Sequence, residues 1–237
     1  MTILAIDTSS TVATAAVMRG ETLLGEFILN NGKTHSQKLM PLVNELFKGL
    51  DMDIGEIDLF AASVGPGSFT GLRIGIVTIK AMAYSAGKPV ISVPTLDALA
   101  VNACSFKGLI CPIMDARNKQ VYTALYRPDI KVPQRITEYM GITVDELSQL
   151  ILEQNQEAIF VGDAVGLYED YFKTRLGELC TIAPSSLRLQ RAACVAQVAM
   201  ERANEGKLES CFDMKPFYLR KSQAEREYER KNAEKQP

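Results

Sequence analysis

The chain has 237 residues, 47% of them hydrophobic, and a formal net charge of −2. That length and apolar content provide for one large domain or two lobes with a sizeable core, and the near-neutral balance excludes a surface built as a whole for nucleic acid. No run of 18 apolar residues and no signal-peptide pattern occurs, so the expected location is the cytoplasm, off the membrane.

Thr2 to Ile6 reads as a strand ending in the polar turn Asp7-Thr8-Ser9-Ser10. Residues 12–18 and 23–29 follow as two more strands, joined tightly at Gly20. From about residue 36 to 50, Leu39, Leu42, Val43, Leu46, Phe47 and Leu50 recur at three- and four-residue spacing. That predicts an amphipathic helix capped by Thr34 or Ser36, with Pro41 acceptable near its first turn or as a kink. Residues 59–64 form a buried strand that enters Gly65-Pro66-Gly67-Ser68-Phe69-Thr70-Gly71-Leu72-Arg73-Ile74-Gly75, a glycine-rich turn ahead of a helix over 74–86. Gly87 and Pro89 stop that helix. A strand at 90–93 and a helix at 96–104, capped by Thr95, complete the order β-β-β-α-β-α-β-α, which requires a mixed sheet carrying helices.

The second half opens with strands at 109–114 and 120–126 around Asp115-Ala116-Arg117-Asn118, then a proline-containing loop over 127–136. Thr143 and Glu146 have the spacing of a capping box for a helix reaching residue 154. A short strand at 158–161 runs through Gly162-Asp163-Ala164-Val165-Gly166 into a helix ending near 176, and an alanine-rich helix covers 191–204. From Lys215 onward seven basic residues face four acidic ones, which leaves the preceding 214 residues at about −5. The last fifteen or so residues carry little apolar surface and read as a flexible tail. Its cations Arg220, Lys221, Arg226, Arg230 and Lys231 would attract RNA only weakly, diluted by Glu225, Glu227 and Glu229.

His35 is the only histidine. That argues against a histidine-built metal centre, and any Ser-His-Asp or Cys-His mechanism would have to run through it. The five cysteines, at 104, 111, 180, 194 and 211, are scattered without a CxxC pair, the pattern of buried free thiols.

The glycine turn allows two readings. Glycine lets another backbone or a ligand come close, and a helix N-terminus attracts anions, so Asp7 and this turn together would suit a magnesium-nucleotide site. A phosphate clamp, however, needs an opposing glycine-rich loop. The corresponding hairpin, Met114-Asp115-Ala116-Arg117-Asn118-Lys119-Gln120, has no glycine. Close packing of strand, turn and helix is the expectation that follows.

Five stretches, in order, resemble the TsaB (YeaZ) family: Ile3-Leu4-Ala5-Ile6-Asp7-Thr8-Ser9, His35-Ser36-Gln37-Lys38-Leu39-Met40-Pro41, the Gly65 to Arg73 turn, Met114-Asp115-Ala116-Arg117 with Val121-Tyr122, and Lys215-Pro216-Phe217-Tyr218-Leu219-Arg220. The turn, with Gly65, Pro66, Gly67, Ser68 and Gly71, is the specific part. The resemblance implies an α/β fold of the two-lobed actin, hexokinase and Hsp70 (ASKHA) type, with mixed sheets flanked by helices. It divides the chain into an N-terminal, partner-binding lobe (1–105), a C-terminal lobe (106–220) and the charged tail (221–237). It implies a non-catalytic accessory subunit that binds TsaD and helps recruit TsaE. That complex transfers a threonylcarbamoyl group to the adenosine beside the tRNA anticodon. The chain would meet tRNA only through the complex, would form a homodimer when alone, and would hold no cofactor by itself. Nucleotide at a junction with a partner stays open.

The resemblance places the partner contact on the two N-terminal-lobe helices. The expected interface is Leu39, Met40, Val43, Leu46 and Phe47 of the first and Arg73, Ile74, Val77, Lys80 and Met82 of the second. The residues agree for the second helix, since Ile74, Ile76, Val77, Ile79, Met82 and Ala83 wrap most of its circumference, and such a helix needs cover on more than one side. Two rivals remain: a nucleotide-hydrolysing enzyme of the same fold, with Asp7 positioning a metal, and a peptidase working through His35.

Overall fold

A computed structural model of the protein describes residues 1–220. The tail over 221–237, with Lys221, Arg226, Arg230 and Lys231, lies outside the described residues. In chain order the first half comprises β1 (Thr2–Asp7), β2 (Ala13–Arg19), β3 (Thr22–Leu29), α1 (His35–Leu50), β4 (Leu59–Gly65), α2 (Phe69–Ala86), β5 (Val90–Pro94) and α3 (Thr95–Val101). The five strands form one mixed sheet in the order β3-β2-β1-β4-β5. Its β1–β2 and β2–β3 pairs are antiparallel, and its β1–β4 and β4–β5 pairs parallel. Because side chains alternate along a strand, β1 sends Leu4 and Ile6 to one face and Ile3 and Ala5 to the other.

Leu39, Leu42, Val43 and Leu46 of α1 and Leu72, Ile76, Ile79 and Ala83 of α2 cover the first face. The three- and four-residue spacing delivers this stripe. Helix α1 continues unbroken past Pro41; Pro41 and Gln37, whose carbonyl Pro41 cannot serve, are both exposed.

The second half comprises β6 (Leu109–Asp115), β7 (Gln120–Thr123), β8 (Tyr126–Arg127), β9 (Gln134–Arg135), β10 (Met140–Thr143), α4 (Val144–Gln154), β11 (Ala158–Val161), α5 (Val165–Leu176), β12 (Cys180–Ile182) and α6 (Ala192–Asn204). Its sheet runs β10-β7-β6-β11-β12, with the short β8–β9 pair attached to β6. The Thr143–Glu146 capping box forms at the start of α4. Helices α4 and α5 cover one face and α3 the other. Among the described residues no helix is long and apolar enough to cross a membrane.

Several features depart from the sequence reading. The expected 120–126 strand stops at Thr123, β8 and β9 pair across the expected 127–136 loop, and β10 and β12 are additional strands. Thr95 begins α3 instead of capping it, and Thr34 makes no side-chain cap bond at α1. Helix α2 begins at Phe69, with the Ser68 hydroxyl accepting from the Gly71 N–H, so Gly71 and Gly75 are helical residues and not part of the turn. The division at residue 105 also changes. Helix α6 returns to the first sheet, where Ala192, Val195, Ala196 and Ala199 pack on the β1, β4 and β5 residues of the second face. Residues 209–220 follow as an irregular strap that bridges to the free edge of β5 at Val90 and Glu209 and then crosses α2.

Candidate functional site

Asp7 ends β1 in the middle of the sheet and is 1% exposed. Its Oδ1 accepts from the Ser9 N–H at 2.8 Å and the Ser9 hydroxyl at 2.6 Å, and its Oδ2 from the Ser63 hydroxyl at 2.5 Å. Burial pushes its pKa up, against the pull of these three hydrogen bonds. The carboxylate is thus consumed by its own surroundings.

The glycines of the turn and of the start of α2 are accounted for by close approach, three of them to backbone carbonyls and Gly75 to a side chain. A methyl group at Gly65 would overlap the Phe217 carbonyl, at Gly67 the Ser9 carbonyl, at Gly71 the Thr8 carbonyl and at Gly75 the Thr8 hydroxyl. The Thr8 hydroxyl donates to the Gly71 carbonyl at 2.8 Å, and the Ser68 N–H to the Ser9 carbonyl at 2.7 Å. The start of α2 is therefore pressed onto the Asp7-Thr8-Ser9 loop, and the strap lies on the turn. The space against Gly65, Gly67 and Gly71 is thus taken by the chain's own carbonyls, and the Asp7 carboxylate is held by Ser9 and Ser63.

His35, at the start of α1, bonds the Ser10 carbonyl through Nε2 at 2.8 Å. Its Nδ1 is buried without a partner, and burial lowers its pKa. That partner is a carbonyl, not a hydroxyl or thiol, so no activated nucleophile is assembled here. One turn on, Lys38 is buried with Nζ 2.9 Å from the Thr11 carbonyl. Together the two side chains anchor α1 to the loop after β1.

The hairpin between β6 and β7 reaches a left-handed turn without glycine: Arg117, Asn118 and Lys119 have φ of 63°, 55° and 56°. Three consecutive non-glycine residues there carry a backbone cost. The Asp115 carboxylate takes the Arg117 N–H at 2.8 Å. Gly162, after β11, is explained by packing too, since a methyl there would overlap the Ile113 carbonyl.

The expected interface residues separate into three groups. Leu39, Val43 and Leu46 are 1%, 1% and 2% exposed. They fill the chain's own core beneath α1 and are not available to a partner, because their stripe is the one that faces the sheet. Phe47, Ile74 and Met82 lie half-buried against the same core, while Met40 and Val77 are 50% and 63% exposed. Arg73 and Lys80 are engaged within the chain. Arg73 Nε donates to the Tyr218 hydroxyl at 2.9 Å, and Lys80 Nζ to the Met214 carbonyl at 3.1 Å.

What stands open is a groove of about 450 Å³ between α2 and the strap, lined by Val77, Ala81, Tyr84, Phe212 and Pro216, with Lys215 at its side. Tyr84 and Phe212 are 68% and 70% exposed and meet edge to face, ring centroids 5.7 Å apart. Tyr84 lies seven residues beyond Val77, on the same helical stripe, a spacing that marks it in the sequence. Phe212 sits in irregular chain, and no periodicity points to it.

A family model described as TsaD, tRNA N6-adenosine threonylcarbamoyltransferase, matches residues 22–228. The tRNA threonylcarbamoyladenosine biosynthesis protein TsaB of Bacillus subtilis is 32% identical over 225 residues, covering 95% of this chain and 96% of that protein. The protein of the same description from Escherichia coli is 29% identical, covering 94% and 96%. A crystal structure from Pseudomonas aeruginosa, described as an uncharacterized protein with similarity to peptidase YeaZ, superposes with a TM-score of 0.78 at 23% identity, over 92% of this chain and 99% of that one. That likeness shows the two-lobed fold and nothing of the chemistry. With a relative of this identity matched almost from end to end, the chain belongs to the TsaB family.

Proposed function

We propose that this protein is a non-catalytic partner subunit in the biosynthesis of threonylcarbamoyladenosine in tRNA. It binds the threonylcarbamoyltransferase TsaD, holds it in a productive arrangement and contributes to the surface that recruits TsaE. The family membership and the names its relatives carry support the pathway. The observation that carries the subunit role is the outer stripe of α2. Val77 and Tyr84 stand 63% and 68% exposed beside Phe212 at 70%, while the glycine turn beneath is filled by the chain's own backbone. An apolar stripe of this kind is covered in a working assembly. When TsaD is absent, the same face pairs two copies of the chain, since an isologous contact satisfies both at once.

A pull-down of purified TsaD tests this. Wild-type protein retains TsaD, and Val77→Glu and Tyr84→Glu, shown to be folded by circular dichroism, do not. Retention of TsaD by both variants would remove the α2 face from the interface. Failure of the wild type to retain TsaD would remove the subunit role itself.

A further inference from the structure

The strap forms no regular element, yet it touches both lobes in sequence. Glu209 exchanges backbone hydrogen bonds with Val90 at 2.9 and 3.0 Å, and its carboxylate takes the Ser92 N–H at 3.0 Å and the Ser92 hydroxyl at 2.8 Å. Cys211 and Met214 are buried in the core beneath α2. The Phe217 N–H donates to the Val64 carbonyl at 2.7 Å. Tyr218 stacks on Phe69 with centroids 4.2 Å apart and planes 12° from parallel, and holds Arg73 through its hydroxyl. All of these partners belong to the first lobe.

Within one residue the contacts change sides. The Phe217 ring already meets Tyr139, centroids 5.5 Å apart. Leu219 packs among the second-lobe residues around Tyr122 and Tyr126. Arg220 donates to the Ala116 carbonyl at 3.4 Å and to the Gln120 side chain, with its guanidinium 6.0 Å from the centre of the Tyr122 ring. Ala116 and Gln120 flank the left-handed residues 117–119 and close that turn by the Ala116 N–H to Gln120 carbonyl bond at 3.0 Å.

We propose that residues 217–220 are a built-in clasp between the lobes. Tyr218 is its hook on the first lobe and Arg220 its hook on the second, and together they fix the angle between the sheets and hold the 117–119 turn left-handed. In two-lobed proteins a ligand commonly sets the closure. Here the Phe217 carbonyl lies against Gly65 of the glycine turn, so closure is set by a segment of the chain itself and without a ligand. The strained turn is the element with a second state to relax into. The clasp needs no partner, and its test is independent of TsaD.

Hydrogen–deuterium exchange on the full chain decides it, because coupling through a clasp is reciprocal. Tyr218→Ala removes the Phe69 stacking and the Arg73 hydrogen bond, both in the first lobe, yet is expected to speed exchange of the Ala116 and Gln120 amides in the second by about tenfold, the upper end for one aromatic pair. Arg220→Ala removes the contacts to Ala116, Gln120 and Tyr122, all in the second lobe, yet is expected to speed exchange at Ser68 and Leu72 in the first. Val144, the first residue of α4, donates its N–H to the Lys119 carbonyl at 3.2 Å and is expected to follow the turn, while amides over 148–154 of α4 stay as protected as in the wild type. Effects confined to the lobe each side chain touches would overturn the clasp. If an alanine variant does not fold, Tyr218→Phe removes only the hydroxyl, and Arg220→Gln replaces the guanidinium by a shorter, neutral amide. They are read the same way: smaller cross-lobe effects support the clasp, and confined ones overturn it.

Discussion

The Thr8 hydroxyl donates to the Gly71 carbonyl at 2.8 Å, joining residues 63 apart in sequence. The Thr8 carbonyl and hydroxyl occupy the space where methyl groups at Gly71 and Gly75 would stand. Glycine to alanine inside a helix ordinarily gains up to about 1 kcal/mol. Here the sign inverts. Gly71→Ala meets backbone and is expected to cost about 2–4 kcal/mol, and Gly75→Ala, which meets a side-chain oxygen, about 1–3 kcal/mol. Thr8→Ala recovers part of the Gly75→Ala loss and little of the Gly71→Ala loss. Urea titration of the wild type, the three single variants and the two double mutants measures this coupling.

The exposed stripe of α2 predicts a separation of stability from association. Tyr84 is 68% exposed, so Tyr84→Ala is expected to change folding stability by less than about 0.5 kcal/mol. A large aromatic at the centre of an interface contributes about 2 kcal/mol or more, so affinity for TsaD should fall at least about thirtyfold. Calorimetry with TsaD reads the second quantity and thermal unfolding the first. An unchanged affinity would place Tyr84 outside the interface.

Asp7 predicts a pH signature. Burial raises its folded-state pKa above the unfolded value of about 3.9. Below the unfolded value both states hold the proton. Between the two values the native state keeps a proton the unfolded state has released, so stability falls as pH rises through the folded pKa and stays lower beyond it. Asp7→Asn does not ionise and lacks this loss. The stability difference between variant and wild type is therefore expected to shift in the variant's favour from about pH 4 to about pH 8. A difference independent of pH would show that Asp7 keeps an ordinary pKa.

The cysteines differ in reach. Cys104 and Cys180 are partly exposed, and Cys111, Cys194 and Cys211 are buried. Burial also pushes the Cys111 and Cys194 thiols up to about 12. Since the thiolate is the reactive form, an aromatic disulfide reagent should label Cys104 and Cys180 in the native protein and all five thiols in denaturant. Native labelling of Cys111 or Cys194 on the same timescale would mean that these cores open readily.

Local signals carried most elements. The spacing of Leu39, Leu42, Val43 and Leu46 identified α1 and its buried face, and the Thr143–Glu146 box fixed the start of α4. The start of α2 was hidden because Gly71 and Gly75 read as turn residues. Their reason for being glycine is Thr8, far away in sequence. Arg73 and Lys80 looked like cations for a partner because their acceptors, Tyr218 and the Met214 carbonyl, lie in chain without periodicity. The position of α6 was equally hidden: a helix of alanines and valines has the same pattern on either sheet.

The return of α6 to the first sheet has a consequence for the newborn chain. Ile3, Ala5, Leu59, Ala61 and Ile91 leave the ribosome before the second sheet is made, but the Val195, Ala196 and Ala199 that cover them come after it. The second sheet, built from residues 109–182, is contiguous and in effect inserted into the first lobe. The first sheet is thus begun before the second and completed after it, and a nascent chain carries one bare apolar sheet face while the second sheet is made. Such a face is a substrate for chaperones, and a fragment of residues 1–105 made alone is expected to aggregate.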